Sequence, residues 1–145
     1  MPSLPRIVAG LGLVLLGLPS TPALAFGQAP LTLGERKGYL QLTNPDARNI
    51  QLNLQVFPVV LQQGRASADL TPLPPEQAEQ LIRLRPTQVR LAPGASRTLP
   101  YTVLDPSRDF FLCGVSLQGL FTVRVCSRWR SAASRSASAT AGKAL

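Results

Sequence analysis

Apolar and polar residues alternate along most of this chain with the period of two that marks half-buried strands. The clearest run is Ile50, Leu52, Leu54 and Val56, interleaved with Gln51, Asn53 and Gln55. A helix would scatter those side chains around its circumference. Before it, Leu40 and Leu42 share one face and Tyr39, Gln41 and Thr43 the other, and Asn44-Pro45-Asp46 supplies turn chemistry in between. Downstream, Ile82 and Leu84 alternate with Arg83 and Arg85 up to Pro86, and Val89 and Leu91 lead to the turn Pro93-Gly94. Leu99, Tyr101 and Val103 then alternate with Thr98, Pro100 and Thr102. Pro100 has no N–H for a ladder, which predicts an edge or a bulge there. Phe111, Cys113, Val115 and Leu117 form one face of the next strand, and Gln118-Gly119 begins the turn into Phe121–Val125. Residues 26–35, with Leu31 and Leu33 alternating, read as a lead-in edge strand. Short strands broken by Pro and Gly about every ten residues predict an all-β antiparallel sandwich.

Three segments break the rhythm. Residues 1–25 place Arg6, an apolar run from Ile7 to Leu18 and Ala23-Leu24-Ala25 in the order of a secretory signal peptide. The run is shorter than the roughly 20 residues that cross a bilayer, and no other segment is a membrane-span candidate. Cleavage would leave about 120 residues, the size of one domain. Residues 61–80 read as a long exposed loop with a helical turn begun by Pro75-Glu76-Gln77. Residues 131–145 are rich in Ser and Ala without apolar period, which predicts a disordered tail. The domain is therefore expected to span residues 26–130.

Composition narrows the chemistry. The formal net charge is +8, and the basic residues, nearly all arginine, are spread along the chain as on a solvated basic surface. Nucleic-acid binding through Arg128, Arg130 and Arg135 lacks interleaved aromatics beyond Trp129, and export argues against it. Trp129 is expected to cover the end of the sandwich. With no histidine and seven acids placed singly in turns and loops, no general acid–base pair forms, so no enzyme activity and no cofactor are expected. Two cysteines without histidine fall short of a zinc site. In an exported protein the pair Cys113 and Cys126 reads instead as a disulfide.

The last hairpin holds two registers that conflict. A three-residue loop, Gln118 to Leu120, puts Phe121, Val123 and Val125 on the face of Phe111, Cys113 and Val115 and turns Cys126 away. A loop of two or four residues puts both cysteines on one face, directly opposite with four, and the bond then closes about 14 residues for roughly 3 kcal/mol. In that register Val123 and Val125 face away from Cys113, toward solvent or a partner. A bulge would reconcile the two.

The order of Asn44, Pro86, Val89 with Leu91-Ala92-Pro93-Gly94, Asp105-Pro106-Ser107-Arg108-Asp109 and Phe110-Phe111-Leu112 resembles the amino-terminal domain of PapD-like periplasmic pilus chaperones, over residues 30–130. The resemblance implies a single immunoglobulin-like sandwich of about seven strands and a periplasmic or secreted protein acting in pilus assembly by β-strand pairing. It implies a protein partner, pilin-like subunits, met by Phe121, Val123, Arg124 and Val125, with Arg124 as the basic residue of the last strand. A disulfide between the last two strands occurs in one branch of that family, which suits Cys113 and Cys126. The sequence departs from the pattern in a shortened apolar stretch before Arg124. It also has no clear counterpart of the family's first-strand arginine, Arg36 being a poor substitute. The competing expectation is a structural or adhesive immunoglobulin-like module.

Overall fold

The computed structural model describes Gly17 and residues 26–143, with side chains as far as Thr140, so the signal-peptide reading of residues 1–25 lies outside the described residues. In chain order the elements are β1 (Gly27–Ala29), β2 (Thr32–Leu33), β3 (Lys37–Thr43), β4 (Ile50–Phe57), β5 (Val59–Gln62), β6 (Arg65–Ala68), α1 (Pro75–Leu81), β7 (Ile82–Leu84), β8 (Gln88–Leu91), β9 (Ser96–Val103), β10 (Phe110–Gln118), β11 (Phe121–Trp129) and α2 (Ala132–Lys143). One sheet has the order β1-β3-β9-β7, and the sheet facing it β2-β11-β10-β4-β8. β5 and β6 form a separate hairpin.

The expected seven strands are present, two of them broken. The first divides into β1 and β2 around Pro30, and the fourth into β7 and β8 around Pro86. In each case the two halves join opposite sheets. Proline lacks the N–H that would continue one ladder, so the chain changes sheet there. Pro100 lies inside β9, between β3 and β7, yet the pairing with β7 ends at Tyr101. The strand is thus an edge at that residue, as its missing donor requires.

Leu40, Leu42, Leu52, Val89, Val103, Phe110, Leu112 and Trp129 are the fully buried centre of the core. Trp129 is a core residue rather than an end cover. Its ring stacks on Phe110 at 6.5 Å and its Nε1–H donates to the Pro106 carbonyl. Asn44, wholly buried, donates to the carbonyls of Arg48, Leu91 and Ala92 and accepts from the Asp46 N–H. It locks the β3–β4 corner to the end of β8 with both polar ends of its amide satisfied.

Three expectations need correction. The stretch read as a loop over residues 61–80 begins inside the β5–β6 hairpin, which is turned by Gln63 and Gly64 with φ of 51° and 76°. Two consecutive positive φ values match the twist of the flanking strands. The inward face of β10 is Phe110, Leu112, Gly114 and Ser116, whereas Phe111, Cys113 and Val115 lie on the outer face in a small cluster with Phe57, Ala68 and Cys126. Finally, the segment expected as a disordered tail is helical over Ala132–Lys143. Ser131 caps it by accepting from the Ser134 N–H, Asp109 accepts from the Ser131 N–H and the Ser134 hydroxyl, and Arg135 lies over Trp129. Tertiary contacts at the first turn start a helix that its alanines then favour.

Candidate functional site at an open sheet edge

β10 and β11 meet through a two-residue loop, Gly119-Leu120, with Gln118 opposite Phe121. Gly119 takes a φ of 62°, the first position of a tight hairpin turn that glycine fills without steric cost. This register sets Cys113 directly opposite Cys126, Cα atoms 4.0 Å apart, and the two form a disulfide. It also removes the sequence conflict without a bulge. The disulfide sits on the outer face, so the faces turned away from it belong to the core, and Val123 and Val125 pack half-buried against that core. They do face away from Cys113, as expected of this register, but toward the core rather than toward solvent or a partner alone.

The outer edge of β11 is open. β2 pairs with it only at Arg128 and Trp129, and among the described residues no strand lies beside Phe121–Ser127. The Arg128 N–H donates to the Leu31 carbonyl, which shows that Arg128 directs its main chain outward. Antiparallel alternation then turns the N–H and C=O groups of Thr122, Arg124 and Cys126 outward too, while Val123, Val125 and Ser127 bond to β10. Among the described residues no proline, bulge or covering strand blunts this edge, the longest unpaired one of their two sheets.

Side chains along the edge form two rows. On the core side run Phe121, Val123, Val125 and Ser127, passing from exposed at the hairpin tip through half-buried to buried. Behind them Gln28, buried on β1, donates to the Leu112 carbonyl and the Ser127 hydroxyl and accepts from the Gly114 N–H. On the outer side run Thr122, Arg124, Cys126 and Arg128. Arg124 is not free: it donates to the carbonyls of Asp69 at 2.6 Å and Ala68 at 3.4 Å, and its guanidinium lies 4.7 Å from the Phe57 ring centre. It fastens the root of the β5–β6 hairpin over the disulfide. Arg128 pairs with Asp109 at 3.8 Å and lies over Phe111. Leu117, Leu120 and Phe121 leave an exposed apolar hairpin tip.

Of the residues expected to meet a partner, the structure brings Phe121, Val123 and Val125 together on one side of the edge and puts Arg124 on the other. Sequence reasoning missed the outward main chain of Thr122 and Cys126, because alternation marks faces and not which flank of a strand is paired. It also missed Gln28, a lone polar residue in a short lead-in. Among the described residues no group of His, Cys, Asp and Glu is placed to hold a metal ion, and no helix is long and apolar enough to cross a membrane.

No protein-family model and no curated protein sequence matches the chain. Solved structures do. The class 5 fimbriae chaperone CfaA superposes with a TM-score of 0.54 at 9% identity, over 74% of this chain and 56% of its own. The Pseudomonas aeruginosa CupB2 chaperone gives 0.51 at 17% identity, over 80% of this chain and 61% of its own. A chain from the complex of the Salmonella enterica SafA pilin with the SafB chaperone gives 0.52 at 12% identity, over 79% and 58%. The chain thus spans little more than half the length of these relatives in structure. The likeness shows the fold: this chain is an immunoglobulin-like sandwich with the PapD-like fold of these fimbrial chaperones.

Proposed function

We propose that this protein is an exported PapD-like chaperone or subunit-binding protein that acts in pilus or fimbrial assembly by pairing a partner strand along β11. Its place of action is the periplasm or the exterior, reached by removal of residues 1–25. The observation that carries the reading is the open edge from Phe121 to Ser127, with three residues presenting outward amides beside half-buried Val123 and Val125. A strand added there gains main-chain bonds worth about 1 kcal/mol each, net, and covers the valines and Phe121 with its own alternate side chains. Arg124 contributes charge to that edge and holds the hairpin behind it. Export and the disulfide belong together, since a cross-strand bond persists in an oxidising compartment. The engagement of Arg124 by the Asp69 and Ala68 carbonyls favours a second reading, a structural or adhesive module in which Arg124 is purely a packing residue.

Proline substitution separates the readings. Thr122→Pro removes an outward N–H and leaves the β10 ladder intact, so the protein should fold with an unchanged circular-dichroism spectrum. Its affinity for a nine-residue peptide with Val or Ile at alternate positions and Ser or Thr between should fall roughly tenfold. Val123→Pro removes a ladder bond and should destabilise the sandwich itself by about 3 kcal/mol. A native protein that fails to bind such peptides, or a Thr122→Pro variant that binds them as well as the parent, would support the module reading instead.

A further inference from the structure

Charge is segregated by element in this molecule. None of the described strands contains Asp or Glu: all seven acids lie in turns, loops and α1, while Lys37, Arg65, Arg83, Arg90, Arg97, Arg124 and Arg128 lie on strands. Arg128–Asp109 is the single ion pair among the described residues. The strand at the open β11 edge therefore carries cations and no acid of its own, and Arg124, unlike Arg128, has no carboxylate partner among the described residues. Arg124 stands in the middle of the outer row, and Arg128 stands at its end, beside Thr32 of β2.

Resting on the proposed strand addition, we infer that the strand β11 accepts carries acidic side chains on its outer face, alternating with the apolar ones that meet Val123 and Val125. Two positions define the preference. A residue opposite Arg124 has its Cβ within about 5.5 Å of the arginine's, and a residue opposite Cys126 is diagonal to both Arg124 and Arg128, within reach of long side chains. The carbonyls of Ala68 and Asp69 orient the Arg124 guanidinium without neutralising it. The same geometry disfavours a second copy of this chain as the occupant. When two β11 edges pair antiparallel with Arg124 opposite Arg124, Thr122 or Cys126, the two Arg124 side chains are opposite or diagonal. Neither copy has an acid on its strand to answer them.

The test titrates three labelled nine-residue peptides into the purified protein and reads fluorescence anisotropy. All share alternating Val and Ile, and the intervening positions are Asp, Ser or Lys. The Asp peptide should bind about 3- to 30-fold more tightly than the Ser peptide at low ionic strength and the Lys peptide most weakly. The Asp-over-Ser ratio should shrink at 0.5 M salt, where exposed charges are screened within a few ångströms, and narrow in Arg124→Gln. Equal affinity for the Asp and Ser peptides would overturn the inference and leave strand addition standing. Failure of all three to bind would overturn both.

Discussion

At Gly114, β10 packs closely against Phe26 and Gln28 at the start of the opposite sheet. A Cβ built there would stand 2.9 Å from both Gln28 Oε1 and the Phe26 ring, two groups that are themselves buried. Gly114→Ala should therefore cost about 1–3 kcal/mol, read as a lower urea midpoint with an unchanged slope. Asp109 plays a comparable part at the other end of β10. Burial pushes its carboxyl up, but the Ser134 hydroxyl, the Ser131 N–H and the nearby Arg128 outweigh that and hold it below the usual carboxylate range. A depressed folded-state pKa means that docking of α2 is at full strength above the ordinary value of 3.8 and weakens as pH falls through the lowered one. The helical circular-dichroism signal should drop over that acid range in the parent, whereas Asp109→Asn should already show the reduced signal at pH 7. Neither role was legible from sequence. A glycine in a strand and an aspartate in a turn each look ordinary until the long-range partner, Phe26 or Ser134, is in place.

At the scale of elements, legibility tracked burial on one side. β3 and β4 could be read directly because one face of each meets the core and the other meets water, so Leu40, Leu42, Ile50, Leu52, Leu54 and Val56 stand out. β10 reads ambiguously because both of its faces are covered: Phe110 and Leu112 by the core, Phe111 and Cys113 by the outer cluster with Phe57 and Ala68. Parity alone could not say which face was inward, and the apparent conflict between disulfide and valines followed from that. The β5–β6 hairpin was hidden because Val59-Val60-Leu61-Gln62 does not alternate and its partner strand is Arg65-Ala66-Ser67-Ala68, with Gly64 the one local turn signal, and α2 by its dependence on contacts from Asp109 and Trp129. The disulfide is the strongest single link between β10 and β11. Replacing both cysteines with alanine should lower stability by about 3 kcal/mol, measured by chemical denaturation, while the two-sheet fold persists on its core.

Across the whole molecule, the same register that closes the disulfide and buries one side of Val123 and Val125 turns the amides of Thr122, Arg124 and Cys126 away from β10, where no strand lies among the described residues. The strand-by-strand architecture of an immunoglobulin-like sandwich was visible in the alternation and its Pro and Gly turns. The free edge was not, since it depends on β2 being only two residues long and pairing only at Arg128 and Trp129. Strand segregation of cations gives that edge its sign and makes self-association along it unfavourable. Residue-resolved hydrogen exchange tests the central claim most directly, with and without the acidic alternating peptide. In the free protein the amides of Thr122, Arg124 and Cys126 should exchange rapidly while those of Val123, Val125 and Arg128 are protected, and on peptide binding the first three should become protected together. Slow exchange at those three amides in the free protein, or exchange there that saturating peptide leaves unchanged, would contradict it.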